Sequence, residues 1–156
     1  METIYIETTV VSYLVANPSR DSILAAHQKL TRQWWQDERQ RYQCVTSREV
    51  LREASMGDTE MSRRRAEALD GLTVLKVEDS ARKLARAIVA EKILPPAAVS
   101  DAVHAVVASQ HQVNILLTWN CRHLANPHSL GKLREFMARH GLVLPEICTP
   151  IELVGE

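Results

Sequence analysis

Four side chains stand where a metal-assisted hydrolysis would need them: Glu7, Glu53, Asp101 and Asn120. Glu7 follows the β-branched and aromatic run Thr3-Ile4-Tyr5-Ile6, and Glu53 lies in a helical pattern after a second such run. Asp101 begins another helical pattern, and Asn120 comes just after the apolar stretch Val113 to Thr118. Carboxylates gathered into one pocket repel each other by about 4 kcal/mol per pair at about 4 Å and an effective dielectric near 20. A hard divalent cation relieves that repulsion, and magnesium suits the case because it keeps several waters and takes only one or two carboxylates directly. Carboxylates, an amide and water around such an ion polarise a phosphoryl oxygen and lower the pKa of an attacking water, which is what phosphodiester hydrolysis requires. Each residue also has a plainer reading. Glu7 and Asp101 favour the positive end of the helix that each one begins, Glu53 is a solvated helix residue with Glu49 competing on the same face, and Asn120 is a turn former.

The joint placement of the four is what favours chemistry, and it depends on the elements that carry them. Within the opening stretch Met1 to Thr9, the run Thr3 to Ile6 reads as a buried strand that stops at Glu7-Thr8-Thr9 and delivers Glu7 to the carboxyl edge of a parallel sheet. Val10, Val11, Leu14 and Val15 follow at helical spacing, with Thr8 or Thr9 as cap and Asn17-Pro18 as stop. Asp21 opens a longer helix to about Arg41, with Ile23, Leu24, His27, Leu30, Trp34 and Trp35 largely on one face. Tyr42 to Thr46 is the second strand, and Ser47 caps a helix that starts at Arg48 or Glu49 and breaks at Gly57-Asp58. A helix from Asp58-Thr59 through Leu69, closed by Gly71, leads to a third strand over Leu72 to Val77. Glu78 to Leu94 is helical up to Pro95-Pro96, Ser100 to His111 forms the next helix, and Val113 to Thr118 is a strand covered on both faces. Asn120 to Asn126 is a turn, Leu130 to His140 is helical with Gly141 as cap, and Ile147 to Pro150 adds an edge strand. This alternation predicts a three-layer α/β/α sandwich around a parallel sheet of four to five strands. Ligands of such sheets bind beyond the carboxyl ends of the strands, where chain order reverses.

The 156 residues, 46% hydrophobic, suffice for one domain spanning 1–156 that needs no staples. Cys44, Cys121 and Cys148 are odd in number and in no metal-ligand spacing, so a disulfide framework and a zinc ribbon are both disfavoured, and buried thiols in a reducing cytosol are expected. The opening residues lack a basic and an apolar export region, and no apolar run approaches the roughly 20 residues that cross a bilayer. The expectation is a soluble cytoplasmic protein. With 19 basic and 19 acidic residues, any attraction to nucleic acid rests on a local patch rather than on the whole chain.

In order and spacing, Ile4-Tyr5-Ile6-Glu7-Thr8-Thr9, Ser47 to Glu53 (Ser-Arg-Glu-Val-Leu-Arg-Glu), Asp101-Ala102-Val103-His104-Ala105 and Leu116-Leu117-Thr118-Trp119-Asn120 resemble the PIN-domain ribonucleases. The VapC-type toxins of bacterial toxin-antitoxin pairs are the nearest in pattern. The resemblance runs over nearly the whole chain. It implies an endoribonuclease dependent on magnesium or manganese that hydrolyses RNA phosphodiester bonds, with a structured RNA as substrate, a cognate antitoxin as partner and a homodimeric state. The family's acidic ligands fall on Glu7, where an aspartate is usual, on Glu53, which follows the Val-Leu-x pattern and leaves Glu49 behind the site, and on Asp101. The fourth position, commonly an aspartate, falls on Asn120, and the hydroxyl beside the site falls on Thr118. Glu7 is longer than the usual residue by a methylene, and Asn120 brings an oxygen without charge.

Two other readings compete. A catalytically silent PIN-like module that binds RNA or protein would account for the missing acid at Asn120. A flavodoxin-like or receiver-type domain shares the layer order but would need a phosphate-cradling loop, or an acidic pair after the first strand with a later phosphoacceptor aspartate, and neither is present. Among the remaining residues, Arg63-Arg64-Arg65 spread around a helix and suit a solvated face. Arg122 and His123 are better placed to touch a scissile phosphate. His104, one turn after Asp101, reads as a buried structural histidine, and Trp34-Trp35 as a partner surface or as core.

Overall fold

The computed structural model describes residues 1–154. Strand β1 (Thr3–Ile6) runs through the middle of the molecule, and its Ile4, Tyr5 and Ile6 are fully buried, as expected of a strand covered on both faces. It pairs in parallel with β2 (Gln43–Ser47) on one side and β4 (Ile115–Leu117) on the other. β3 (Thr73–Leu75) lies beyond β2 and β5 (Glu146–Cys148) beyond β4, which gives a five-stranded, all-parallel sheet of order β3-β2-β1-β4-β5. The chain therefore builds outward from β1 in one direction, then returns to build outward in the other. The crevice between the carboxyl ends of β1 and β4 is the reversal point at which α/β sheets take ligands.

Helices flank this sheet. α1 (Thr8–Val15), α2 (Ser22–Gln33) and α4 (Thr59–Leu69) pack together, and α3 (Arg48–Ala54) touches both α1 and α6 (Val99–Gln110). α5 (Asp79–Ala90) lays its Ala81, Ala85 and Ile88 stripe into the core and packs along α6. α6 is buried on nearly every side, from Ala102 to Ser109, as a helix without a polar face must be. Asp101 sits in its first turn, at the edge of the crevice. α7 (Pro127–Arg139) and the short α8 (Pro150–Leu153) complete the chain, and no helix of the described residues is long and apolar enough to cross a membrane.

Several boundaries differ from the sequence reading for identifiable reasons. The cap of α1 is Glu7 itself, whose carboxylate accepts from the Thr9 N–H, and not Thr8 or Thr9. The long helix expected to Arg41 is α-helical only to Gln33, then widens to a π-helical segment over Trp34–Glu38 and tightens to a 3-10 turn over Arg39–Arg41. α5 stops at Ala90, four residues before the expected Leu94, because Lys92 turns left-handed at φ 62° and the Ile93 N–H closes back on the Ile88 carbonyl. α7 begins at Pro127, three residues before the expected Leu130, with the Asn126 side chain capping it through His128 N–H. β5 ends at Cys148, and Pro150 belongs to α8, whose Thr149 and Glu152 form a capping box. The thiols also differ from expectation: Cys44 and Cys148 are half-buried, whereas Cys121, beside Asn120, is exposed.

Candidate metal centre

Glu7 is placed by the sheet. Its backbone N–H continues the ladder to the Leu117 carbonyl at 3.1 Å, and its side chain is 2% exposed. Oε1 accepts from the hydroxyls of Thr9 and Thr118, both at 2.5 Å, and Oε2 accepts from the Thr9 N–H at 3.2 Å. A buried carboxylate needs such donors, because an unpaired charged group loses its solvation without compensation. The two hydroxyls are themselves oriented from the other side of the crevice. Thr9 Oγ1 accepts from Trp119 N–H at 2.9 Å and Thr118 Oγ1 accepts from Asn120 N–H at 2.9 Å.

Asn120 links this group to the third acid. Its Nδ2 donates to Asp101 Oδ2 at 3.0 Å, and its Oδ1 accepts from the His123 N–H at 3.0 Å. The sequence reading had the amide oxygen available to a cation. Here that oxygen accepts one hydrogen bond from the turn after β4, which leaves its second lone pair open, and the nitrogen is aimed at Asp101. Hydrogen bonds thus run from Glu7 through Thr118 and Asn120 to Asp101, so the ends of β1, β4 and α6 meet at one crevice. Burial and the nearby charge of Glu7 push the Asp101 carboxyl up to about 6, against the opposing pull of His104, His123 and the Asn120 amide.

Glu53 reaches the same crevice from α3. Its Oε1 accepts from the Thr8 hydroxyl at 2.6 Å and lies 2.6 Å from Nε2 of His104. Burial would raise its carboxyl, but the hydrogen bond and charge of His104, together with Thr8, outweigh it and hold Glu53 at about 2. Burial likewise opposes the charged imidazole, yet the Glu53 hydrogen bond and the surrounding carboxylates raise His104 above its ordinary value. His104 is fully buried, as expected, with its Nδ1 2.7 Å from the Tyr5 hydroxyl and Tyr5 in turn 2.6 Å from Ser47 Oγ. One oxygen or nitrogen atom from each of Glu7, Glu53 and His104 lies within 4.8 Å of the others.

The comparisons with known proteins agree with this architecture. The chain is similar in fold to one chain of VapBC2 from Rickettsia felis, solved bound to a DNA fragment from their promoter, with a TM-score of 0.52 and 12% identity. The match covers 94% of this chain and 98% of that one. The chain has a VapC-like PIN fold. No family model matches the sequence, and no curated protein matches it.

The donors that Glu7, Glu53 and His104 bring together could hold a metal ion. Glu7 and Glu53 converge with their oxygens close together, and the charge of Glu7 opposes the ionisation of Asp101, which lies outside that group. A cation would offset that mutual repulsion. Glu49 takes no part in this PIN crevice. It is 2% exposed and is held by Arg52, by the Ser100 hydroxyl at 2.6 Å and by Arg82 at 3.6 Å. Burial would raise its carboxyl, but Arg52 and Ser100, with the charge of His104, lower it. The three consecutive arginines are engaged elsewhere: Arg63 pairs with Glu60 and Glu67, Arg64 with Glu60, and Arg65 donates to the Ala54 and Met56 carbonyls at the end of α3. Arg122 is exposed beside the crevice, and Trp34 is core. Sequence reasoning did not identify Tyr5, Ser47 and Thr9 as parts of the site. Tyr5 and Glu7 share strand parity, and His104 stands one turn beyond Asp101, so those spacings carried the signal.

Proposed function

We propose that this chain is a divalent-metal-dependent endoribonuclease that hydrolyses RNA phosphodiester bonds, the toxin of a toxin-antitoxin pair. The observation that supports the reading is the approach of Glu7 and Glu53, with oxygens within 4.8 Å of each other at the reversal point of the sheet, and Asp101 tied to the same crevice through Asn120. Glu7, Glu53 and Asp101 would hold magnesium or manganese. When bound, the ion supplies charge stabilisation at a phosphoryl oxygen and a water of lowered pKa. The chain's own residues do the rest: Thr9 and Thr118 fix the Glu7 carboxylate, and Asn120 fixes Asp101 through its nitrogen. The likeness to a VapBC2 chain supports a cognate antitoxin as partner, and we extend the reading to a homodimer in the cytoplasm.

Single-turnover cleavage of RNA with magnesium or manganese tests this, with Asp101→Asn as the control. Metal-dependent cleavage by the wild type alone is the expected result. No metal-dependent cleavage, or equal cleavage by both proteins, favours the silent binding module, a reading supported by the uncharged Asn120.

A further inference from the structure

The hydrogen bonds around His104 determine which of its nitrogens carries a proton. Ser47 Oγ caps α3 by accepting from the Val50 N–H at 3.2 Å and lies 2.6 Å from the Tyr5 hydroxyl, which lies 2.7 Å from His104 Nδ1. Tyr5, Ser47 and His104 are all fully buried, and each hydroxyl has a single hydrogen to give. If Ser47 donates to Tyr5, then Tyr5 donates to Nδ1, and the ring proton of a neutral imidazole sits on Nε2. If Tyr5 donates to Ser47 instead, Nδ1 must donate to Tyr5. A bare Nε2 would then confront a carboxylate oxygen lone pair to lone pair at 2.6 Å, so Nε2 must carry a proton here too. In both arrangements Nε2–H points at Glu53 Oε1, the same oxygen that takes the Thr8 hydroxyl.

We propose that His104 is a positioning residue: its Nε2–H fixes Oε1 of Glu53, leaves Oε2 to face the cation, and keeps the imidazole out of the coordination sphere. The proposal rests on the metal-nuclease reading above and makes the centre an all-oxygen site, although a histidine nitrogen lies within reach of two glutamates. Oxygen donors suit magnesium and manganese, whereas an imidazole ligand would shift preference toward zinc, nickel or copper. Carboxylates that bind a metal are commonly held by such outer hydrogen bonds.

The test reads the metal itself. Pulsed electron paramagnetic resonance of the manganese-loaded protein should show no nitrogen bound directly to the ion, and a directly coupled imidazole nitrogen overturns the proposal. In calorimetric titrations with manganese, His104→Gln, whose amide nitrogen replaces Nε2–H as donor, should keep affinity within about threefold. His104→Leu should lose about tenfold or more, the range for removing a group that orients a ligand. Equal affinity of the Leu variant and wild type, or equal loss in Gln and Leu, overturns it. Long-range proton–nitrogen NMR of the metal-free wild type needs no variant to fold: Nε2 should be protonated at neutral pH, and a bare Nε2 refutes the assignment. Absence of manganese binding by the wild type refutes the metal-nuclease reading, whereas manganese bound through nitrogen refutes only the role given to His104.

Discussion

Asp101→Asn should stabilise the metal-free protein while removing its response to metal. The Asp101 carboxyl moves from 3.8 to about 6 on folding, because it is buried next to Glu7. At about 1.4 kcal/mol per unit this is roughly 3 kcal/mol of native-state penalty when Asp101 is ionised. Asp101 is only partly buried, and solvent screening reduces the figure to about 1–2 kcal/mol. Between about pH 4 and 6 the folded protein holds a proton that the unfolded chain has released, so stability falls as pH rises through that window and the penalty is complete above it. Asparagine has no proton to lose and still offers an oxygen to the Asn120 Nδ2 now bonded to Asp101 at 3.0 Å. In chelator-treated samples the variant should therefore melt about 2–8 °C above wild type at pH 7.5, since 1 kcal/mol moves the midpoint of a domain this size by about 2–4 °C. The difference should close below about pH 4, where aspartate is protonated in both states. Saturating magnesium or manganese should raise the midpoint of wild type by mass action and leave the variant unmoved. Scanning calorimetry across pH 4 to 8 measures all of this. A wild type as stable as the variant at pH 7.5, or a gap that does not change with pH, refutes the electrostatic account.

Two further substitutions probe the frame. Thr118→Val removes a fully buried hydroxyl that donates to Glu7 and accepts from Asn120 N–H, and urea unfolding should show a loss of about 2–3 kcal/mol because two partners are left unpaired. Lys92→Gly relieves a left-handed φ of 62° just past α5, so thermal unfolding should show a gain of about 1 kcal/mol. An unchanged midpoint would mean the turn carries no strain.

The layer order was readable because each strand is a short β-branched or apolar run and each helix carries an apolar stripe; Ile4-Tyr5-Ile6 and the Ala81, Ala85, Ile88 spacing are the clearest cases. The link of Glu7 and Asp101 to one segment after β4, through Thr118 and Asn120, is consistent with the topology read from the sequence, which assigns both to ends of elements that face one edge of a parallel sheet. The wider turn at Trp34–Glu38 was not readable, because a π-helical segment keeps the same apolar residues and changes only the hydrogen-bond span. Nor was the direction of the Asn120 amide, which is settled by a backbone N–H three residues later and a carboxylate from another helix. Tyr5 and Ser47 escaped notice for a related reason: a buried aromatic and a capping serine each have a sufficient local explanation, and only their distances to each other and to His104 assign them a second one.

Trp119, next to Asn120, lies stacked against His27 at 4.3 Å and Tyr13 at 5.5 Å, and its ring N–H donates to Thr31 at 2.7 Å. The segment after β4 is thus riveted to both α1 and α2. A wall fastened on two sides cannot swing shut over what enters. If the crevice takes RNA as proposed, closure of this flank over it would first have to break the Trp119 stacking and its bond to Thr31.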